Sequence, residues 1–184
     1  IAMAMQQWRL HERVALHIIR RTGTNPRRLL LGFMIATAFI SMWISNAATT
    51  MMMIPIALAV IQQFEKDRGA EWVAPFGTAV MLGIAYASSI GGVGTIVGTA
   101  PNMLFLGAMA KLFPEAPRIT FMQWLLYGVP LVAVFIPITW WIMARRIYKL
   151  PGGADEDADG AAMIDERLRQ LGRPGRGEKI VGVV

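Results

Sequence analysis

Two short polar stretches interrupt apolar sequence, and each has the residue types to hold an ion. The first is Ser41-Met42-Trp43-Ile44-Ser45-Asn46-Ala47-Ala48-Thr49. The second is Gly91-Gly92-Val93-Gly94-Thr95, with Gly98-Thr99-Ala100-Pro101-Asn102 just beyond it. Where a helix unwinds, its backbone carbonyls lose their partners, and a hard cation such as sodium takes oxygen ligands. Where a helix restarts, unpaired N–H groups and the helix dipole favour an anion. One break can therefore hold a cation and an anion side by side, as secondary transporters arrange them near the bilayer midplane. Glycine suits such a loop because it reaches positive φ and lets backbone approach an ion closely.

The elements that must carry these breaks follow from length and charge. Residues 29–61 contain no charged side chain. The run is too long for one membrane-crossing helix of ~20 residues and too short for two with a turn between them. Two half-length helices meeting at a polar tip satisfy it: a re-entrant hairpin over 27–65, with helices at about 27–44 and 49–65 and the tip at 45–48. Arg27 and Arg28 precede the run, and Lys66 and Arg68 follow it. The positive-inside tendency then sets both ends on the cytoplasmic side. Non-helical backbone at membrane depth survives only against protein or a water-filled cavity. Thr49 and Thr50 are placed to serve the first amides of the second half-helix, and Pro55 falls in its second turn.

A polar loop from Glu65 to Glu71 leads to the next apolar segment, 73–112, split at Ser88–Thr95. A second hairpin and a single crossing helix unwound at its centre both fit its length. Charge favours the second. Lys111 and Arg118, diluted by Glu115, come after its apolar part at 73–110, whereas Arg145, Arg146 and Lys149 come after the apolar part of the next segment at 119–144. On this reading 73–112 crosses outward as a discontinuous helix, and 119–146 crosses back, kinked at Pro130 and Pro137.

At the edges, residues 1–22 have the spacing of an amphipathic interfacial helix after the end of a transmembrane one. Gly23-Thr24-Asn25-Pro26 stops it, and Pro26 can open the next helix. Residues 151–177, rich in Gly, Pro, Asp and Arg, read as a cytoplasmic linker, and 178–184 as the truncated start of another apolar segment. The chain thus reads as an internal piece of a longer membrane protein.

Composition narrows the function classes. Of 184 residues, 55% are hydrophobic and 16% charged, which with three long uncharged stretches marks an integral membrane protein. Without cysteine there is no disulfide or thiolate metal site. The net charge of +6 sits in clusters beside apolar segments, which suits topology and lipid headgroups rather than nucleic acid. Enzyme-like signals fail. Gly92, Gly94 and Gly98 lack the spacing and βαβ context of a dinucleotide site. His11 and His17 stand about 240° apart around a helix and cannot share a metal there. Lys111 is the only charged residue in 72–114, which excludes a carboxylate proton relay in that stretch. Gly32, Gly83, Ser88 and Gly107 read as small residues at helix contacts.

The run Ser41–Thr50 resembles the hairpin signature of the divalent anion:sodium symporter family, which carries dicarboxylates, citrate or sulfate. Ala87–Thr95 with Gly98–Asn102 resembles that family's unwound fifth helix, in the same order and spacing, and the likeness covers most of residues 1–148. The resemblance implies an all-α integral membrane protein, one half of an inverted-repeat secondary transporter, multi-pass in the bacterial inner membrane. It implies a sodium site from Ser41, Ser45, Asn46 and Gly94, partly through backbone carbonyls, and substrate contacts at Ser45, Asn46 and Ala47. Ala47 stands where the family usually has threonine, so one hydroxyl donor is missing and the choice of anion stays open. Sodium is the implied coupling ion, with a small anion as substrate, lipid around the chain and a homodimer as the assembly. The second repeat is absent, so these residues alone are not expected to transport. Two alternatives stand beside symport: a sodium-independent dicarboxylate exchanger on the same fold, and a non-transporting membrane scaffold subunit whose breaks are packing features.

Overall fold

The computed structural model describes residues 25–150, which are all-α. The chain forms α1 (Pro26–Ser41), α2 (Asn46–Arg68), α3 (Ala70–Val93), α4 (Ala100–Leu112) and α5 (Phe121–Trp141), the last continued by a π-helical turn (Ile142–Ile147). The segments expected at 1–22, 151–177 and 178–184 lie outside the described residues. Among the described residues, three stretches are long and apolar enough to cross a membrane: Asn46–Lys66, Ala70–Val93 and Phe121–Ile147.

Each helix end has a local cause. Asn25 caps α1 by accepting from the Arg27 amide at 3.0 Å, and Pro26 occupies the first turn, where a missing N–H costs nothing. Ser45 caps α2, its hydroxyl accepting from the Ala48 amide at 3.4 Å. The chain then reverses at Gly69 alone, whose φ of 85° suits glycine. Thr120 and Gln123 form a reciprocal capping box at the start of α5.

These boundaries revise several expectations. The tip occupies 42–45 rather than 45–48, and α2 starts at Asn46 because Ser45 supplies the cap. Thr49 and Thr50 are therefore inside the helix, and Pro55 lies well within it. No polar loop separates α2 from α3, since α2 stays helical through Glu65, Lys66 and Arg68 to Gly69. The two legs are consequently unequal, at 16 and 23 residues, and only α1 is shorter than a span. The second break also moves. Helix α3 runs through Ser88, Ser89, Gly91 and Gly92, and the non-helical stretch is 94–99.

Helix α3 is the axis of the bundle, with α1 and α2 on it. Leu30 packs at Gly83, and Ala38 at Gly91, so α1 runs parallel to α3. Thr50 meets Ser88 and Phe64 meets Phe76, so α2 runs antiparallel. The tip therefore lies beside the C-terminal end of α3. The basic ends of α1 and α2 lie toward the opposite end of the bundle. Helix α5 returns from Gly128, packed on Gly94, to Trp140, whose indole donates to the Arg27 carbonyl at 2.7 Å. Arg27 Nε in turn donates to Leu150 O at 2.5 Å. These two bonds latch the start of α1 to the end of α5 and to the chain beyond it. Helix α4 does not lie back along α3. It reaches the rest through Asn102, its buried residue, and through Phe105, whose ring centroid is 6.1 Å from that of Trp124.

Among the glycines, the tightest contact is at Gly91. A Cβ there would collide with the Ala38 carbonyl and stand 2.5 Å from Ala38 Cα. Both are backbone and cannot swing aside, so the helices must separate. Gly91→Ala should lower stability by roughly 1–3 kcal/mol, the usual cost of overpacking, read as a lower melting temperature in detergent without sodium. Gly107, with nothing within 4 Å of its Cβ position, is not at a helix contact, and Gly107→Ala should leave that temperature unchanged or slightly raised.

Candidate functional site

The tip and the end of α3 meet through hydrogen bonds that cross long stretches of sequence. Ser41, fully buried at the end of α1, places its Oγ 2.9 Å from Asn46 Oδ1 and 2.7 Å from the Ser88 carbonyl. One hydroxyl proton cannot serve both at once, so the Ser41–Asn46 pair keeps lone-pair capacity available for a ligand. Thr50 donates to the Asn46 carbonyl at 2.8 Å, and its oxygen lies 3.1 Å from Ser88 Oγ. Ser88 donates to Ala85 O at 2.9 Å. The first turn of α2 is thus tied to α3 through Ser88.

The Asn46 amide rests directly on Gly92. A Cβ on Gly92 would collide with Asn46 Oδ1 and stand 3.2 Å from its Cγ. Glycine here makes room for the asparagine rather than for a bend, because Gly92 is helical.

The break at 94–99 is held by side chains from α4 and α5 and by its own Thr95 hydroxyl. Asn102 Nδ2 donates to Gly92 O at 2.9 Å and to Thr95 O at 2.7 Å. Trp124 of α5 donates to Val93 O at 2.9 Å. Thr95 donates to Met42 O in the tip at 2.5 Å and accepts from the Gly98 amide at 3.1 Å. Carbonyls freed where α3 stops are therefore claimed one by one, which is the condition for irregular backbone at membrane depth. Gly98 fits against Gly92 O and Ser41 O, with a Cβ at 2.5 Å and 2.9 Å from them, so two carbonyl oxygens approach one glycine.

The candidate residues fall in distinct places. Ser41 is buried and Asn46 half-buried at the contact, while Ser45 and Ala47 are exposed on the other side of the first turn of α2. Gly94 is buried beside Met42, and its carbonyl lies against Gly128 of α5. The structure thus brings Ser41 and Asn46 into one bonded pair, puts Gly94 next to the same tip, and leaves Ser45 and Ala47 facing outward at a helix N-terminus. Ser88, expected at the start of the second break and read there as a packing residue, is helical and joins the network. Thr50, expected as a cap, instead bonds from within the helix. Asn102 was expected as part of the second polar stretch but not as a clamp, and Trp124 was not foreseen. Asn102 had a signal, as the only asparagine within 73–112; Trp124 had none.

No charged side chain lies within 72–110, so the groups at the junction are neutral oxygens and backbone dipoles. Such a site suits a weakly held monovalent cation. Gly92→Ala should push the Asn46 amide off its seat and weaken cation binding at least tenfold, measured as the sodium midpoint for thermal stabilisation of a full-length protein containing this chain. Asn102→Ala should leave two buried carbonyls without a donor and cost about 1–3 kcal/mol, measured by thermal unfolding with sodium absent.

The chain matches the family described as citrate transporter over residues 1–170. It is 41% identical over 193 residues to the sodium-dependent dicarboxylate transporter SdcS of Staphylococcus saprophyticus, covering 100% of this chain and 36% of that protein. It is 38% identical to SdcS of Staphylococcus aureus strain NCTC 8325, and equally so to that of strain COL, again covering 100% of this chain and 35% of each relative. The chain spans about a third of the length of the relatives it matches. A chain with these spans, matched over most of its length, belongs to the citrate transporter family.

Proposed function

We propose that this chain is much of the N-terminal repeat of a sodium-coupled symporter of small di- or tricarboxylates, with sulfate a further candidate anion. The observation that carries the reading is the junction itself. Ser41 Oγ, Asn46 Oδ1 and the backbone of the α3 break meet on one side of the tip, and the N-terminus of α2 opens on the other. The oxygens suit sodium; the exposed first turn of α2 at Ser45, Asn46 and Ala47 suits a carboxylate. The relatives' name, sodium-dependent dicarboxylate transporter, agrees with that pairing.

In this proposal α1 and α2 form a re-entrant hairpin that enters and leaves from the cytoplasmic side. Helices α3 and α4 form one discontinuous crossing, and α5 returns. Sodium binds first and is carried as a substrate. Its charge fixes the tip and attracts the carboxylate beside it. Two unit charges about 4 Å apart interact by ~4 kcal/mol at an effective dielectric near ~20, enough to make anion binding strongly sodium-dependent. The loaded unit then moves against a scaffold formed largely by residues beyond this chain, giving alternating access. A homodimer in the bacterial inner membrane, with lipid around the spans, completes the proposal.

Two substitutions test it in a full-length protein containing this chain. Asn46→Ala removes an oxygen from the cation site and a donor from the anion site. Sodium-driven dicarboxylate uptake in proteoliposomes should fall more than tenfold, and uptake at the wild-type rate contradicts the assignment. Ala47→Thr restores a hydroxyl worth ~0.5–1.5 kcal/mol, so it should tighten the preferred anion about two- to tenfold. Uptake that proceeds equally without sodium would instead support exchange on the same fold.

A further inference from the structure

Among the described residues, Thr49 Oγ1 is the buried side-chain oxygen that has no hydrogen-bond partner. Thr49 is 0% exposed. The other buried polar residues are all engaged: Thr37, Ser41, Ser88 and Thr95 donate to carbonyls, and Asn102 donates to two. A helical threonine has an easy partner four residues back. Thr37, Thr50 and Thr78 all use it. Thr49 does not, although its own amide bonds the Ser45 carbonyl at 2.9 Å.

Its position explains what the hydroxyl faces. Thr49 heads the buried stripe of α2 that continues through Met53, Ala57, Val60 and Phe64. Phe64 packs on Phe76, so this stripe lies on α3. In the antiparallel register Thr49 falls between the Thr50–Ser88 contact and the Asn46–Gly92 contact, opposite the stretch of α3 around Gly91. Gly91 is also where α1 presses closest. Side chains on a helix lean toward its N-terminus, so Thr49 leans back toward the Ser41–Asn46 pair. A buried hydroxyl without a partner is rare in folded proteins and calls for an explanation, a bound ion or water among them.

We propose that Thr49 Oγ1 is a further oxygen ligand of the sodium ion held between the tip and the α3 break. This deepens the symport reading and rests on it. The hydroxyl approaches from the helix-packed side, opposite the exposed face at Ser45 and Ala47 where the anion is placed. It therefore sets cation affinity without touching the anion.

The test uses a full-length protein containing this chain, purified in detergent. Its melting temperature is followed against sodium, with choline holding ionic strength constant and no organic anion present. Thr49→Val keeps the shape and removes the oxygen; Thr49→Ser keeps the oxygen. The expected result is a sodium midpoint raised tenfold or more for Thr49→Val, a midpoint within twofold of wild type for Thr49→Ser, and a sodium-free melting temperature for Thr49→Val at or above wild type. A wild-type midpoint in Thr49→Val overturns the assignment and leaves the hydroxyl to a buried water, with the symport reading intact. A wild-type protein blind to sodium overturns both. Should Thr49→Val fail to fold, Thr49→Ala is judged by the same midpoint.

Discussion

The approach of α1 to α3 at Ala38 and Gly91 is the contact on which the rest depends. It is backbone against backbone, with no side chain to yield. Because α1 sits this close, Ser41 reaches the Ser88 carbonyl, and the tip lies over the end of α3. Because Gly92 follows on the next position, the Asn46 amide can rest on that helix. Two adjacent glycines inside a helix lower its intrinsic stability, and here they are used for proximity. Between bilayer-buried helices, where apolar burial gives little drive, such close packing is a main source of association.

The break between α3 and α4 is the complementary constraint. Unwound backbone needs partners wherever water is scarce, and here they are Asn102 just beyond the break and, from far away in sequence, Trp124 and the tip carbonyl of Met42. Gly128 lets α5 lie against Gly94. The break is thus a fixed piece of structure, braced from both sides, rather than a loose joint. A neutral cradle of this kind can exchange a monovalent cation readily. In the proposed mechanism the cation's charge is then what couples it to the anion.

Much of this was legible in the sequence. The uncharged run at 29–61 demanded an interruption, and Ser45-Asn46 marked it. Pro26 marked the helix start that the structure has. The errors have a common physical origin. Gly91-Gly92 read as unwound because glycine favours loops, yet both are helical, since glycine also permits close approach. Thr49 and Thr50 read as caps, yet Ser45 had the stronger position, and the helix therefore began earlier. The polar run Glu65–Arg68 read as loop because it is charged, yet charge does not stop a helix; Gly69 does. Ser88 and Trp124 entered the site through long-range hydrogen bonds, which no local pattern announces.

The central claim is that cation and anion share the junction of tip and break. Equilibrium binding of radiolabelled succinate to a purified full-length protein containing this chain, titrated across sodium concentrations, tests it most directly. Linkage requires reciprocity: succinate affinity should rise with sodium, and sodium affinity should rise by the same factor with succinate. Succinate affinity independent of sodium would contradict the account.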